Sequence, residues 1–131
     1  ALYDRIQEVE VRSWKGRRSV GIQSGGMYDF YERMVQRLHA SNGLRLLFSR
    51  HEDRDVAYIL GGISRGVYRG LQFSYDQEYR RYGLGNVVQL EMVDRIAQEG
   101  VLEYDLGVDL EYKQRWSDRS FDTVTLVAMR M

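Results

Sequence analysis

The sequence predicts a single domain of the α/β (α+β) class: a mixed sheet, an antiparallel meander followed by strand–helix–strand, flanked by helices. Three observations predict it. Two stretches of helical periodicity come before any strand-like run, and three strand-like runs then succeed one another across short polar turns. A loop with two glycines next leads into another amphipathic helix and a short alternating segment. A chain of 131 residues supports one core and not two independent ones.

Residues 2–12 place Leu2, Tyr3, Ile6 and Val9 on one side of a helical wheel and Asp4, Arg5, Glu8 and Arg12 on the other. Gly16 and the glycines at 21, 25 and 26 break the pattern after this helix. A second helix is expected from Tyr28 to Ser41, with Phe30, Tyr31, Met34, Val35 and Leu38 facing inward and Asn42-Gly43 as its stop. Strands are expected at Leu44–Ser49, Val56–Ser64 and Val67–Ser74, with His51–Asp55 as the turn between the first two. Residues 84–98 carry Leu84, Val87, Val88, Met92, Val93 and Ile96 at helical spacing, closed by Gly100. Leu102, Tyr104 and Leu106 alternate with Glu103 and Asp105 as one more strand. A short irregular or helical piece is expected at Glu111–Trp116 and a last strand at Phe121–Met129, rich in Val and Thr.

Composition removes several classes of function. Nineteen basic and nineteen acidic side chains cancel, so no global field draws nucleic acid or an anionic membrane, and small-molecule or protein partners are expected. Cysteine is absent, which excludes disulfides, thiolate nucleophiles and thiolate metal sites and is compatible with a reducing interior. His39 and His51 are the only imidazoles and share no helix face, so no metal is expected. No apolar run approaches a membrane span and no leader pattern opens the chain, which reads as a cytoplasmic soluble protein. The chain opens on Ala1 inside a helical pattern, and the expectation is that it is the C-terminal part of a larger protein; proline, and with it any rigid proline linker, is absent.

The segment Arg80-Arg81-Tyr82-Gly83-Leu84-Gly85 carries the chemistry. The first N–H groups of a helix lack intrahelical partners and lie at the positive end of its dipole, and glycine lets an anion approach the backbone. The hexapeptide reads either as an anion cradle or as a tight turn with solvated arginines. Neither G-x-x-x-x-G-K-[ST] nor a G-x-G-x-x-G after a strand is present, which disfavours the common nucleotide loops.

Arg-x-x-Gly-x-Gly at Arg80, Gly83 and Gly85 resembles the coenzyme A loop of the GNAT acyltransferase superfamily, and the order of elements around it matches the middle and end of that fold. The resemblance implies that the strand after the cradle helix starts parallel to the third strand and splays away, leaving a cleft for the pantetheine arm. A narrower similarity rests on Ser13-Trp14-Lys15-Gly16, Ser74-Tyr75-Asp76, Tyr104-Asp105-Leu106-Gly107, Tyr112-Lys113 and Trp116. These motifs resemble the bacterial acetyltransferases associated with cellulose and exopolysaccharide biosynthesis, relatives of the Fem-type aminoacyltransferases.

The resemblance implies an acyltransferase moving an acyl group, acetyl foremost, from acyl-CoA (acetyl-CoA) to an amine or hydroxyl of a sugar, polysaccharide or envelope precursor. A second GNAT-like half or a homodimer would be its protein partner. The alternatives are an aminoacyl-tRNA-dependent transferase, for which no basic stripe is present, and a non-catalytic module supporting a partner domain. By resemblance the backbone of Phe73, Ser74 and Tyr75 would bond the pantetheine amides. The Arg80 guanidinium and the N–H groups of Arg81, Tyr82, Gly83, Leu84, Gly85 and Asn86 would hold the diphosphate. Tyr112 would be the general acid toward the thiolate, or else a cover for the core edge. Asp105 is expected to face the cleft as a base or acceptor ligand, or to be a solvated or salt-bridged carboxylate. Trp14 and Lys15 offer a platform and a cation to an acceptor, with core anchoring as the other reading for Trp14.

Overall fold

The structure, a computed structural model, describes residues 2–17, 22, 25–108 and 110–130. The elements run α1 (Leu2–Arg12), α2 (Trp14–Arg17), α3 (Gly25–Ala40), β1 (Leu44–His51), β2 (Arg54–Ser64), β3 (Val67–Tyr75), a 3-10 turn (Gln77–Tyr82), α4 (Leu84–Gln98), β4 (Glu103–Asp105) and a second 3-10 turn (Glu111–Arg115). The mixed α/β class is met, as are three consecutive antiparallel strands and the helix after the glycine loop.

The sheet has the order β1-β2-β3-β4, antiparallel except for the last pair. It lies between two helical layers because β2 is buried on both faces and its side chains alternate. Tyr58 and Leu60 meet Tyr3, Ile6 and Val9 of α1 and Tyr31 and Val35 of α3. Ala57 and Ile59 meet Val88, Met92 and Ile96 of α4 on the opposite face. Both helical layers arise from the apolar spacing of the sequence, although Leu2, Phe30, Val87 and Leu102 of the expected faces are exposed.

Two irregularities position the cleft. Leu60 pairs with Gln72 but Gly61 pairs with Gly70, so Leu71 is an extra residue and β3 bends there. β4 pairs only with the opening of β3, through Val67–Glu103, Tyr68–Tyr104 and Arg69–Asp105. Beyond Arg69, β3 continues to Tyr75 with no β4 partner. This is the parting of strands that the resemblance implied.

Two expectations are corrected. Phe121–Met129 forms no strand: it is irregular and exposed, since a β-prone sequence requires an edge long enough to pair with and β4 spans three residues. Gly16 lies within the short helix α2, and Gly25 and Gly26 open α3 three residues ahead of Tyr28; Gly21 is outside the described residues. Arg80, Arg81 and Tyr82 of the hexapeptide belong to the 3-10 turn Gln77–Tyr82, with Asp76 as N-cap, its carboxylate accepting from Glu78 N–H at 3.0 Å.

Candidate active site

A continuous cleft opens where β3 and β4 diverge. One lobe, of about 390 Å³, is walled by Trp14, Lys15, Gln72, Phe73, Tyr104 and Tyr112, among others. The second, of about 240 Å³, reaches Arg80, Gly83, Gly85, Asn86 and Trp116. Phe73, Tyr75, Gln89 and Tyr112 line both lobes, so they form the neck of one channel.

The sheet register determines which backbone groups face this channel. Asp76 N–H bonds Val56 O at 2.8 Å, which makes 56/76 a hydrogen-bonded pair; by alternation so are Tyr58/Ser74 and Leu60/Gln72. Phe73 and Tyr75 therefore direct their N–H and C=O away from β2, into the gap left by β4. Ser74 spends its backbone on β2, while its hydroxyl points to the α1 face and donates to Glu10 Oε1 at 2.5 Å. Of the three residues, Phe73 and Tyr75 direct backbone groups into the gap, where Phe73 O accepts from Lys15 Nζ at 3.1 Å, and Ser74 does not.

At the second lobe, Gly83 adopts φ +62°, a left-handed conformation that ends the 3-10 turn and starts α4 in a new direction. A Cβ there would project into open space. At Gly85 a Cβ would lie 3.0 Å from the Phe73 ring, so this glycine lets the first turn of α4 approach β3. The first bond of the α4 ladder at this end is Val87 N–H to Gly83 O, 3.2 Å; the amides of Leu84, Gly85 and Asn86 precede it and lie at the positive helix end. Arg80 adds a guanidinium to the same lobe. Arg81 and Tyr82 belong to the 3-10 turn and do not line either lobe; the Arg81 guanidinium sits 6.0 Å from the Tyr82 ring. Leu84 packs into the α4-side core.

Tyr112, on the second 3-10 turn, stands at the neck with its ring 6.1 Å from that of Phe73. Burial raises its phenol above the ordinary tyrosine value. Tyr104 donates to Gln89 Oε1 at 3.2 Å, and burial pushes its phenol up to about 12.

Asp105 follows the salt-bridged alternative and does not face the cleft. Its Oδ2 accepts from Arg69 at 3.1 Å and its Oδ1 from Gly107 N–H at 2.8 Å, and it lines neither lobe. On β4 it is the other face, Tyr104 and then Leu106, that borders the channel.

Three residues outside the expected set, Gln89, Glu10 and Gln72, join the expected Lys15 along the channel. Gln89 sits buried among apolar α4 neighbours and lines both lobes. Glu10 is wholly buried and accepts from Tyr58 OH at 3.2 Å as well as from Ser74. Lys15 Nζ lies 3.3 Å from Glu10 Oε1 and donates to Gln72 Oε1 at 2.8 Å and Phe73 O at 3.1 Å; burial lowers its pKa, against the opposing pull of Glu10. Gln72 donates in turn to Tyr31 OH at 3.1 Å. Among the described residues no group of three His, Asp or Glu side chains is placed to hold a metal, and no helix is long and apolar enough to cross a membrane.

A parted pair of strands with a helix N-terminus at one end of the gap defines a class, and comparison with known proteins agrees. The family model described as acetyltransferase (GNAT) domain matches residues 1–114, and the chain belongs to that family. No curated protein matches it. Among solved structures, a GNAT family acetyltransferase from Brucella melitensis in complex with acetyl-CoA is similar at 17% identity and TM-score 0.66, over 90% of this chain and 77% of that one. The aminoglycoside 6′-N-acetyltransferase of Acinetobacter haemolyticus is similar at 12% identity and TM-score 0.65, over 98% and 92%. The PaiA N-acetyltransferase of Thermoplasma acidophilum, in complex with coenzyme A, is similar at 20% identity and TM-score 0.57, over 78% and 70%. At these identities the likeness is one of fold.

Proposed function

We propose that this chain transfers an acyl group, acetyl foremost, from acyl-CoA to an amine or hydroxyl of a sugar, polysaccharide or envelope precursor, in the manner of the exopolysaccharide-associated acetyltransferases. The observation that carries the donor half is the channel itself: an unpaired β3 edge running toward unpaired amides at the start of α4. Two of the solved structures of this fold hold coenzyme A or acetyl-CoA, and the groups lining this channel fit such a molecule.

Residues Leu84 to Asn86 bind the diphosphate through their amides, with Arg80 as counter-charge. The backbone of Phe73 and Tyr75 holds the amide-bearing arm like an added strand. The thioester supplies an activated carbonyl carbon; a C–N or C–O bond forms there and the C–S bond breaks. Tyr112, at the neck, gives its proton to the departing sulfur, and the proton shed by the attacking amine or hydroxyl passes through solvent to restore the phenol. Asp105 takes no part in this scheme, because Arg69 and Gly107 occupy its two oxygens. For the acceptor, the support is the half-exposed Trp14 indole, a flat apolar surface on the wall of the larger lobe.

Thermal unfolding with acetyl-CoA tests the donor half. A ligand at a hundred times its Kd adds about 2.7 kcal/mol, and a rise of several degrees in Tm is expected. Gly83→Val costs about 1–2 kcal/mol through its left-handed backbone, projects a branched side chain into the phosphate lobe and is expected to abolish the rise. A wild-type Tm that ignores acetyl-CoA at near-millimolar concentration would refute the donor assignment, and a rise that survives in Gly83→Val would place the ligand elsewhere.

A further inference from the structure

Several polar side chains around the larger lobe are spent on one another. Lys15 donates to Gln72 Oε1 and Phe73 O and pairs with Glu10, and Gln72 gives an amide hydrogen to Tyr31 OH. Gln89 of α4 is different. Its Oε1 accepts from Tyr104 OH at 3.2 Å, while its Nε2, with two N–H donors, has no acceptor among the described residues. The residue is 6% exposed and borders both lobes, so its small opening is onto the channel. A leucine at this position would join Val88 and Met92 in the α4-side core. An amide with one end unpaired gives the empty protein no bond to offset its desolvation.

Tyr104 fixes which end of that amide faces the channel. A phenol has one proton, and this one goes to Oε1, which turns Nε2 the other way. The phenol is held in its turn: its ring is edge-on to that of Tyr68, centroids 4.6 Å apart, and a Cβ at Gly70 would come within 3.3 Å of its oxygen. Tyr104 therefore stands beside Gly70, next to the last β3–β4 pair at Arg69 and Asp105. α4 leads from the phosphate lobe to this point. At Gly85 it is level with Phe73 and Tyr75, whose rings a Cβ would meet at 3.0 and 3.8 Å. Gln89 is four residues further along the helix, about 6 Å, and meets Tyr104 where the two strands part.

We propose that Gln89, directed by Tyr104, is a catalytic residue whose Nε2 donates to the carbonyl oxygen of the bound thioester and stabilises the negative charge that gathers there on attack. The inference rests on the donor reading above. With the diphosphate at the first amides of α4, an arm laid along β3 passes Tyr75 and Phe73 and brings its acyl end toward Gly70, where the Gln89 amide waits. Tyr112, which lines the same neck, serves the sulfur. As the nucleophile adds, the carbonyl π electrons move onto the oxygen, and Nε2 keeps both its protons while donating to it. The electrons return as the C–S bond breaks and the sulfur takes the Tyr112 proton. Gln89 ends the cycle as it began. Tyr104 touches no reacting atom and is a positioning residue. Loss of one donor to such an oxygen costs about 10²–10³ in kcat.

Isotope-edited infrared spectroscopy reads this without any acceptor. Acetyl-CoA carrying ¹³C at the thioester carbonyl is added to the full chain, and the bound carbonyl band is compared with that of free acetyl-CoA. In the wild type the band is expected at lower frequency, because a donor at the oxygen weakens the C=O bond. In Gln89→Met, which keeps the length of the side chain and removes the donor, the band is expected to return toward the free value while acetyl-CoA still raises Tm. Tyr104→Phe keeps Nε2 and frees its direction, so its band is expected between the two; a full downshift there overturns the directing role of Tyr104. A wild-type band at the free frequency, or an equal downshift in Gln89→Met, overturns the proposal and leaves the donor reading intact. Absence of any Tm rise in the wild type overturns the donor reading and this one with it. Should Gln89→Met not fold, native protein labelled with ¹⁵N at its glutamine side chains is used, the Gln89 signals being identified by their response to Tyr104→Phe. They are expected to move with acetyl-CoA by more than with coenzyme A lacking the acyl group, and equal movement overturns the assignment.

Discussion

Tyr112 shows what a single residue gains from its position. Its phenol is one of ten in the chain, and with Tyr75 it lines both lobes at the neck of the channel. Tyr112→Phe is expected to lower turnover about 10²-fold, while the Tm rise with acetyl-CoA stays as in the wild type; steady-state thiol release and thermal unfolding check the two halves. Burial raises this phenol's pKa. The proton-donating form therefore persists as pH rises through the ordinary tyrosine value of about 10, and the alkaline loss of rate is expected above it. Two central residues left traces in the sequence. Glu10 succeeds Tyr3 and Ile6 on the buried side of α1, and Gln89 adjoins Val88 on the buried side of α4. A polar residue on an apolar helical face must be paired or functional, and that signal was available without a structure. The partners of Glu10 were not, because Tyr58 and Ser74 lie 48 and 64 residues away.

At the scale of elements, α1 is tied to the sheet by ions as well as by its apolar face. Arg5 donates to both oxygens of Asp55 at the start of β2, at 2.7 and 2.9 Å, and the hydrogen bond from Arg5, with further help from its charge, lowers the Asp55 pKa. A carboxyl with a depressed native pKa contributes stability above its unfolded value, about 3.9, and loses it as pH falls through the native one. Asp55→Asn is therefore expected to cost about 1.5–3 kcal/mol at pH 7 and to flatten the loss of stability below about pH 4, as read from denaturant midpoints on either side of that value. Elements defined by strong periodicity were legible: β1 to β3 and α4 fall within a few residues of their expected bounds. The segment Phe121–Met129 has the composition of a strand without an edge to join, and the 3-10 turn at Gln77–Tyr82 is organised by the Asp76 cap. Both depend on context that local pattern does not contain.

For the molecule as a whole, two cores on opposite faces of one sheet account for the buried apolar side chains of the described residues, apart from Val56. Phe121, Val124, Leu126, Val127 and Met129 contribute to neither, each being at least 70% exposed. Truncation after Ser120 is accordingly expected to leave Tm essentially unchanged and the acetyl-CoA response intact, whereas a segment that packed would lower both. Sequence alone determined the order of the main helices and strands up to β4, the two amphipathic layers and the helix start after the glycine loop, since each depends on residues close together in the chain. Tertiary structure alone decided where β4 leaves β3, that Asp105 is taken by Arg69, and that Glu10 and Lys15 meet Ser74 and Phe73 at the channel wall. Those outcomes depend on register, one extra residue at Leu71 and contacts made across dozens of positions, none of which a local periodicity records.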